Sequence, residues 1–348
     1  MKLLIITDAW HPQVNGVVRT YEYMLPELEK AGHTVKVIGP HDFPLHIPMP
    51  GYREIELTLF PFRRLRKMIE NFVPDSIHIA TEGPLGLAAR RYCKKKNIPF
   101  NTAYHTQFPD YVAKRVAKIT KKAFNPTKSA MIKWIKKFHD SADAVMVATQ
   151  TLEDKLTSWG FATPLHRLTR GVTTDTFYHD GPQALHDMPK PIALFVGRVA
   201  IEKNIGAFLD MEWKGSKVVI GEGPMLDVLK KKYPYTHFAG KKTGHDLAAH
   251  YRGADVFVFP STTDTFGMVL TEALACGLPV AAYDVMGPRD IITQQHLGAL
   301  SADLQEAAEN ALKAPGTRED RFQHIQENYT WTIVAQQFIE ISEFTRIK

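Results

Sequence analysis

Asp255-Val-Phe-Val-Phe259-Pro-Ser-Thr-Thr-Asp264-Thr-Phe266-Gly267-Met268-Val269-Leu-Thr-Glu272-Ala-Leu-Ala-Cys-Gly277-Leu-Pro279 holds a complete strand–loop–helix unit. The apolar run ending at Phe259 is short, β-branched and aromatic, which favours a buried strand. Pro260 stops it, a Ser/Thr/Asp loop follows, and Gly267 opens a helix rich in Ala and Leu. A buried strand feeding directly into a helix is the repeating unit of a parallel sheet covered on both faces.

The same alternation extends in both directions. Upstream, strands are expected at 2–7, 34–38, 76–80, 98–102, 143–148 and 165–168, with helices at 17–31, 84–96, 129–139 and 150–159. A stretch with glycine and prolines at 180–190 breaks the pattern. It restarts with strands at 192–197, 216–220, 235–238, 255–259 and 279–282 and helices near 203–211, 224–232, 244–251 and 267–276, and two to three helical segments finish the chain. The pattern predicts an α/β protein of two doubly wound, Rossmann-like parallel-sheet domains, 1–180 and 181–330, facing across a cleft.

With 348 residues, 44% of them hydrophobic, the chain is long enough for two ordinary cores. Its 43 Lys+Arg against 37 Asp+Glu are unevenly spread: residues 1–180 carry 26 basic and 17 acidic side chains (net +9), the remainder 17 and 20 (net −3). Such a split points to a local anionic partner, whether nucleic acid, anionic lipid or a phosphorylated ligand. Two distant cysteines, Cys93 and Cys276, argue against a disulfide framework and for a reducing cytoplasm. The apolar run near the N-terminus ends in Asp8, so it reads as a first strand rather than a signal peptide. No run approaches the ~18 apolar residues of a membrane span, so any membrane role is expected to be peripheral.

Ligands of doubly wound sheets collect at the carboxyl ends of strands, and four unusual clusters fall there. Asp8-Ala-Trp10-His-Pro-Gln-Val-Asn15-Gly16-Val17 follows the first strand, and Gly16 could bring helix-terminal amides to an anion or merely start a helix. It is not the Gly-x-Gly-x-x-Gly of dinucleotide binding. His105 follows the 98–102 strand, where it either bonds a substrate or is structural; Glu82, after 76–80, is expected with Trp10 on the acceptor side. Gly197-Arg198 with Lys203 offers a guanidinium fork and a flexible point charge for a diphosphate, or a solvated surface pair. Gly221 lies in a further tight turn. In the opening segment Asp264 and Glu272 lie eight residues apart, suited to hydroxyls at two ends of an extended ligand, while Phe266, Gly267, Met268 and Val269 start a helix that can face a phosphate. Asp264 as a simple helix cap is the plainer alternative. No Cys-pair spacing, His-Glu-x-x-His or clustered Asp-x-Asp appears, so no metal and no cofactor is expected; nor is there a Gly-x-Ser-x-Gly nucleophile.

Taken together, these segments resemble the retaining nucleotide-sugar glycosyltransferases of family 4, with their two-domain GT-B fold, over essentially the whole chain. Asp264 to Glu272 looks like that family's acidic–seven residues–acidic motif, with aspartate where glutamate is usual. The resemblance implies that Asp264 meets the donor sugar, Glu272 the ribose, Arg198 and Lys203 the diphosphate, and His105 the transferred sugar. Asn15-Gly16-Val17 looks like the glycine loop near the donor phosphate, with Asn15 in place of one frequent glycine. The C-terminal helix, 331–345, is expected to return to the first domain. Likeness to bacterial mannosyl- and glucosyltransferases implies GDP-mannose or UDP-glucose as donor and a lipid or glycan acceptor.

Residues 111–139 contain nine basic side chains and no acid. Around Met131-Ile-Lys133-Trp134-Ile-Lys136-Lys137-Phe138 apolar residues recur at helical spacing while lysines take the other faces. A basic amphipathic helix suits an anionic membrane surface, although the same residues could be an ordinary helix packing on its own core. Phe62-Arg-Arg-Leu-Arg-Lys67 adds a second basic patch. Competing readings are an epimerase or hydrolase of the same architecture, a non-catalytic nucleotide-sugar sensor, or a nucleic-acid module. The last leaves the clusters of the second domain unexplained and lacks interleaved aromatics.

Overall fold

The structure, a computed structural model, describes residues 1–13, 15–49, 52–105 and 124–347. It divides into two compact units, Met1–Thr169 with Trp331–Lys348, and Arg170–Thr330. The chain therefore leaves the first unit ahead of the 180–190 break and returns to it at the last helix.

The first unit is built on a parallel sheet of β1 (Lys2–Ile6), β2 (Thr34–Ile38), β5 (Ser76–Ile79), β6 (Asn101–Tyr104), β7 (Ala144–Val147) and β8 (Leu165–Arg167), in the order β2-β1-β5-β6-β7-β8. Central strands β5, β6 and β7 are buried throughout, whereas edge strands β2 and β8 are partly open. Burial on both faces explains the apolar run of β7, while β5 and β6 also bury the polar Ser76, His78, Asn101 and Thr102. Leu4, Ile6, Ile77, Ile79, Leu85 and Phe138 share one core cluster. β6 begins three residues later than its apolar run, because Asn97, left-handed at φ 53°, closes the Pro84–Lys96 helix and Ile98 N–H bonds Cys93 C=O. An antiparallel hairpin, β3 (His46–Met49) and β4 (Tyr52–Thr58), was not expected from the sequence.

In the second unit β9 (Ile192–Val196), β10 (Ser216–Ile220), β11 (His237–Gly240), β12 (Val256–Phe259), β13 (Val280–Tyr283) and β14 (Gly298–Ser301) form a parallel sheet ordered β11-β10-β9-β12-β13-β14. Its order reverses between β9 and β12, so the loops leaving these adjacent strands flank the switch point where such sheets bind ligands. β9 and β12 are fully buried, and Phe195, Phe208, Val219 and Val258 anchor the core beneath them. β14, small-residued and half-exposed at the edge, was also missed.

The final helix, Trp331–Phe344, packs within the first unit, stacking Trp331 on Tyr23 and bonding Thr332 Oγ1 to Glu27. Both cysteines are buried free thiols, and burial pushes each thiol up to about 12.

Candidate functional site

At the switch point of the second unit, the loops after β9 and β12 are tied together directly. Asn204, left-handed at φ 51°, donates from Nδ2 to Pro260 C=O at 3.1 Å. Its neighbour Lys203 places Nζ 2.6 Å from Asp264 Oδ1. Two residues read separately from the sequence, one for the diphosphate and one for the sugar, thus form an ion pair about a quarter exposed. The other oxygen, Asp264 Oδ2, is buried with no hydrogen-bond partner among the described residues. Asp264 caps no amide of the Met268–Ala275 helix, since the N-cap position is Gly267 and no side chain caps it. The plain capping alternative therefore falls.

Gly267 is demanded by its backbone: φ is +90°, and a Cβ there would press on Leu270 and Phe259 at 3.1 Å. Phe266 is buried edge-on against Tyr329, while Met268 and Val269 are half-buried at the helix start. The turn at Gly287 lies against the main chain of Asp264 and Phe266, a buttress with no sequence motif. One turn into the helix, Glu272 is 7% exposed and accepts a 3.1 Å hydrogen bond from Tyr251 Oη. Arg198 is half-exposed after β9, 3.9 Å from Glu202. Gly221 does not present an amide: its N–H goes to Gly240 C=O at 2.9 Å, and a Cβ would lie 1.9 Å from Gly197 C=O. Gly197 and Gly221 here allow two strand ends to close on each other.

In the first unit the expected residues divide. Asn15 caps the Gly16–Lys30 helix, its Oδ1 accepting from Val17 and Val18 N–H at 3.0 and 3.1 Å. Those two amides are thus already bonded. Gly16 is exposed, and a Cβ there would meet nothing within 4 Å, so packing does not require a glycine. Asp8 is drawn inward, accepting from Thr81 Oγ1, Leu85 N–H and Gly86 N–H at 2.9, 2.8 and 3.3 Å. It serves as the cap of the Pro84–Lys96 helix, and burial outweighs these bonds to raise its pKa to about 6. Trp10 is half-buried against Gly39. Glu82 is 8% exposed and bonded to buried His139 Nε2 at 3.1 Å, so it is turned inward rather than outward.

His105, half-buried, heads a wire of hydrogen bonds that no motif announced. Asn101 Nδ2 donates to Thr345 Oγ1 at 2.7 Å, which turns its amide oxygen to His78 Nδ1, 2.5 Å away. His78 Nδ1–H must therefore donate, and Nε2 accepts from Tyr21 O–H at 2.6 Å. Tyr21, its proton spent, accepts from His105 Nε2–H at 2.8 Å. Burial lowers His78 to about 4, consistent with a neutral ring. The wire sets His105 in the Nε2–H tautomer. Its signal in the sequence was a histidine inside the apolar strand Ser76-Ile-His78-Ile79.

On the Phe124–His139 helix, Ile135 and Phe138 are buried, whereas Lys133, Trp134 (41%) and Lys137 are exposed. Lys136 is held by Gly160 C=O and Asp140, 3.8 Å away, and so is drawn back onto the protein. Arg63, Arg64, Arg66 and Lys67 are exposed on the Phe62–Phe72 helix, whose Leu65 and Ile69 are buried. The lysine-rich residues 114–122 lie outside the described residues.

The Glycosyltransferase Family 4 model matches residues 14–176 and the Glycosyl transferases group 1 model residues 180–327. A GDP-mannose-dependent alpha-mannosyltransferase of Mycobacterium tuberculosis is 30% identical, over 86% of this chain and 83% of that one. An alpha-monoglucosyldiacylglycerol synthase of Streptococcus pneumoniae is 26% identical over 97% and 83%. In fold, sucrose-phosphate synthase from Thermosynechococcus elongatus aligns over 99% of both chains with a TM-score of 0.75 at 20% identity. Two six-stranded parallel sheets, one with its switch point flanked by the acidic and basic clusters, are the GT-B arrangement, and the chain belongs to glycosyltransferase family 4 as a hexosyltransferase.

Proposed function

We propose that this enzyme transfers mannose or glucose, from GDP-mannose or UDP-glucose, to a hydroxyl of a membrane glycolipid with retention at the anomeric carbon. The observation that carries the site is the Lys203–Asp264 pair at the switch point, with Asp264 Oδ2 buried and unpartnered among the described residues. A buried acceptor without a donor is costly, and a sugar hydroxyl would satisfy it. Lys203 and Arg198 take the diphosphate, whose oxygens gain charge as the anomeric bond breaks, and amides near Gly267 add to that stabilisation. Glu272 bonds the ribose diol. His105 meets the transferred sugar, and Trp10 serves the acceptor side; Glu82 supports that region through His139. Diphosphate charge is met by these side chains and amides without a metal.

The mannosyltransferase and glucosyldiacylglycerol synthase relatives support both the donor choice and the lipid acceptor. No helix among the described residues is long and apolar enough to cross a membrane. Exposed Lys133, Trp134 and Lys137, with Arg63, Arg64, Arg66 and Lys67, support peripheral contact with an anionic surface on the cytoplasmic face. No nucleic acid is needed to explain these cations.

Incubating the enzyme with UDP- and GDP-sugars and a bacterial lipid extract, with mass identification of product, tests the reaction. A single hexose added to a lipid is expected. Glu272→Ala should raise donor KM about 10- to 100-fold, the loss of one charged hydrogen bond. No product from any donor sinks the reaction; unchanged kinetics in the variant sink the site.

A further inference from the structure

Three metal-ligating side chains converge where the β3–β4 hairpin meets the turn after β2. His41 lies on the single-turn helix Pro40–Asp42, His46 opens β3, and Glu56 lies on β4. His46 pairs with Thr58 in the ladder, so His46 and Glu56 are diagonal neighbours on one hairpin face. The Nε2 atoms of His41 and His46 each lie 3.4 Å from Glu56 Oε2. The three ligand atoms all fall within 4.8 Å of one another.

That spacing is informative. A charge-assisted N–H···O bond closes to about 2.7–2.9 Å, and Glu56 Oε2, though sealed from solvent, makes no hydrogen bond among the described residues. Bonds of about 2.0–2.1 Å to a tetrahedral ion instead place its ligands roughly 3.3–3.5 Å apart. His46 Nδ1 is likewise buried and unpartnered among the described residues, so Nε2 is the nitrogen turned toward the carboxylate. Two imidazoles and one carboxylate favour a borderline ion such as Zn²⁺ over Mg²⁺ or Ca²⁺, which prefer all-oxygen shells.

We propose that His41, His46 and Glu56 form a zinc-class divalent metal site that clips the hairpin to the turn after β2. The site uses no residue assigned to donor or acceptor, and would serve structure rather than transfer. The spacing His-x4-His-x9-Glu matches no metal motif; only the hairpin register assembles it.

Calorimetric titration of the full chain with ZnCl2 tests this. One site per chain is expected, weakened at least about tenfold in each of His41→Ala, His46→Ala and Glu56→Gln. Cobalt(II) in place of zinc should give the visible absorption of a tetrahedral site, lost in the same variants. His41 has a half-exposed side chain, so His41→Ala should keep the wild-type circular dichroism and remains informative if the others misfold. No zinc site in the wild-type chain, or wild-type affinity in His41→Ala, overturns the proposal.

Discussion

Asp8 and His78 are both buried, and the fold holds their protons in opposite senses. Asp8 titrates at about 6 rather than 3.8, so between those values the folded chain binds a proton that the unfolded chain does not. Stability from this group therefore rises as pH falls through that window. His78 titrates at about 4 rather than 6.5, so there the unfolded chain binds the extra proton and stability falls on acidification. Each shift corresponds to roughly 3 kcal/mol, and the two largely cancel between pH 6 and 4. Relative to wild type, urea unfolding should show His78→Gln gaining roughly 2–3 kcal/mol on moving from pH 7 to 4.5, and Asp8→Asn losing about 2. Wild-type pH slopes in both variants would contradict these assignments. At the proposed donor site, the 2.6 Å Lys203–Asp264 contact makes the two side chains one unit. In kcat/KM, Lys203→Met and Asp264→Asn should be non-additive by about 1–3 kcal/mol; simple additivity would mean they act separately. The sequence singled out both residues as candidates but not their pairing, because a contact across 61 positions depends on which strands are neighbours.

Among the elements, the Trp331–Phe344 helix matters through its end: Thr345 Oγ1 donates to Ile341 C=O and orients Asn101, at the far end of the wire from His105. Tyr21→Phe keeps the ring but removes the link between the histidines. It should lower kcat about tenfold with little change in donor KM, beside a stability loss of about 1–3 kcal/mol. Stability lost with kcat unchanged would make the wire purely structural. The strands legible in the sequence were those with apolar, β-branched runs, whether continuously buried like β9 and β12 or at a partly open edge like β2. β3 and β14 lack such runs: one contains His46 and Pro48, and the other is a half-exposed edge of small residues. The start of β6 was less legible than the helix before it, since the helix closure at Asn97 consumes Ile98, an apolar residue that otherwise reads as strand. The inward turn of Asp8 and Glu82 escaped detection for a different reason. Their partners, the amides of Leu85 and Gly86 and the ring of His139, lie on helices the sequence placed well, but which side chains meet across strands is set by the tertiary fold.

At the scale of the molecule, the net charge of +9 over residues 1–180 was legible from composition, but its surface distribution was not. Lys136 looked equivalent to Lys133 and Lys137 until its contacts with Gly160 and Asp140 removed it from the exposed set. Each exposed Lys or Arg near an anionic bilayer contributes about 1 kcal/mol, so the six cations of the two helices together could hold the enzyme reversibly at a surface. Trp134 would add an apolar contact beside its neighbouring lysines. Co-sedimentation should show the enzyme on anionic vesicles and not on neutral ones, with binding falling as salt screens the attraction. Replacing Lys133, Lys137, Arg63, Arg64, Arg66 and Lys67 by Ser should weaken that binding tenfold or more, roughly, while leaving turnover of a detergent-dispersed acceptor unchanged. Turnover on vesicles should fall with binding, because the substitutions limit access to the acceptor rather than chemistry. Equal failure of the wild-type enzyme to bind either vesicle removes the membrane contact altogether. Wild-type binding by the six-site variant assigns the contact to a different surface.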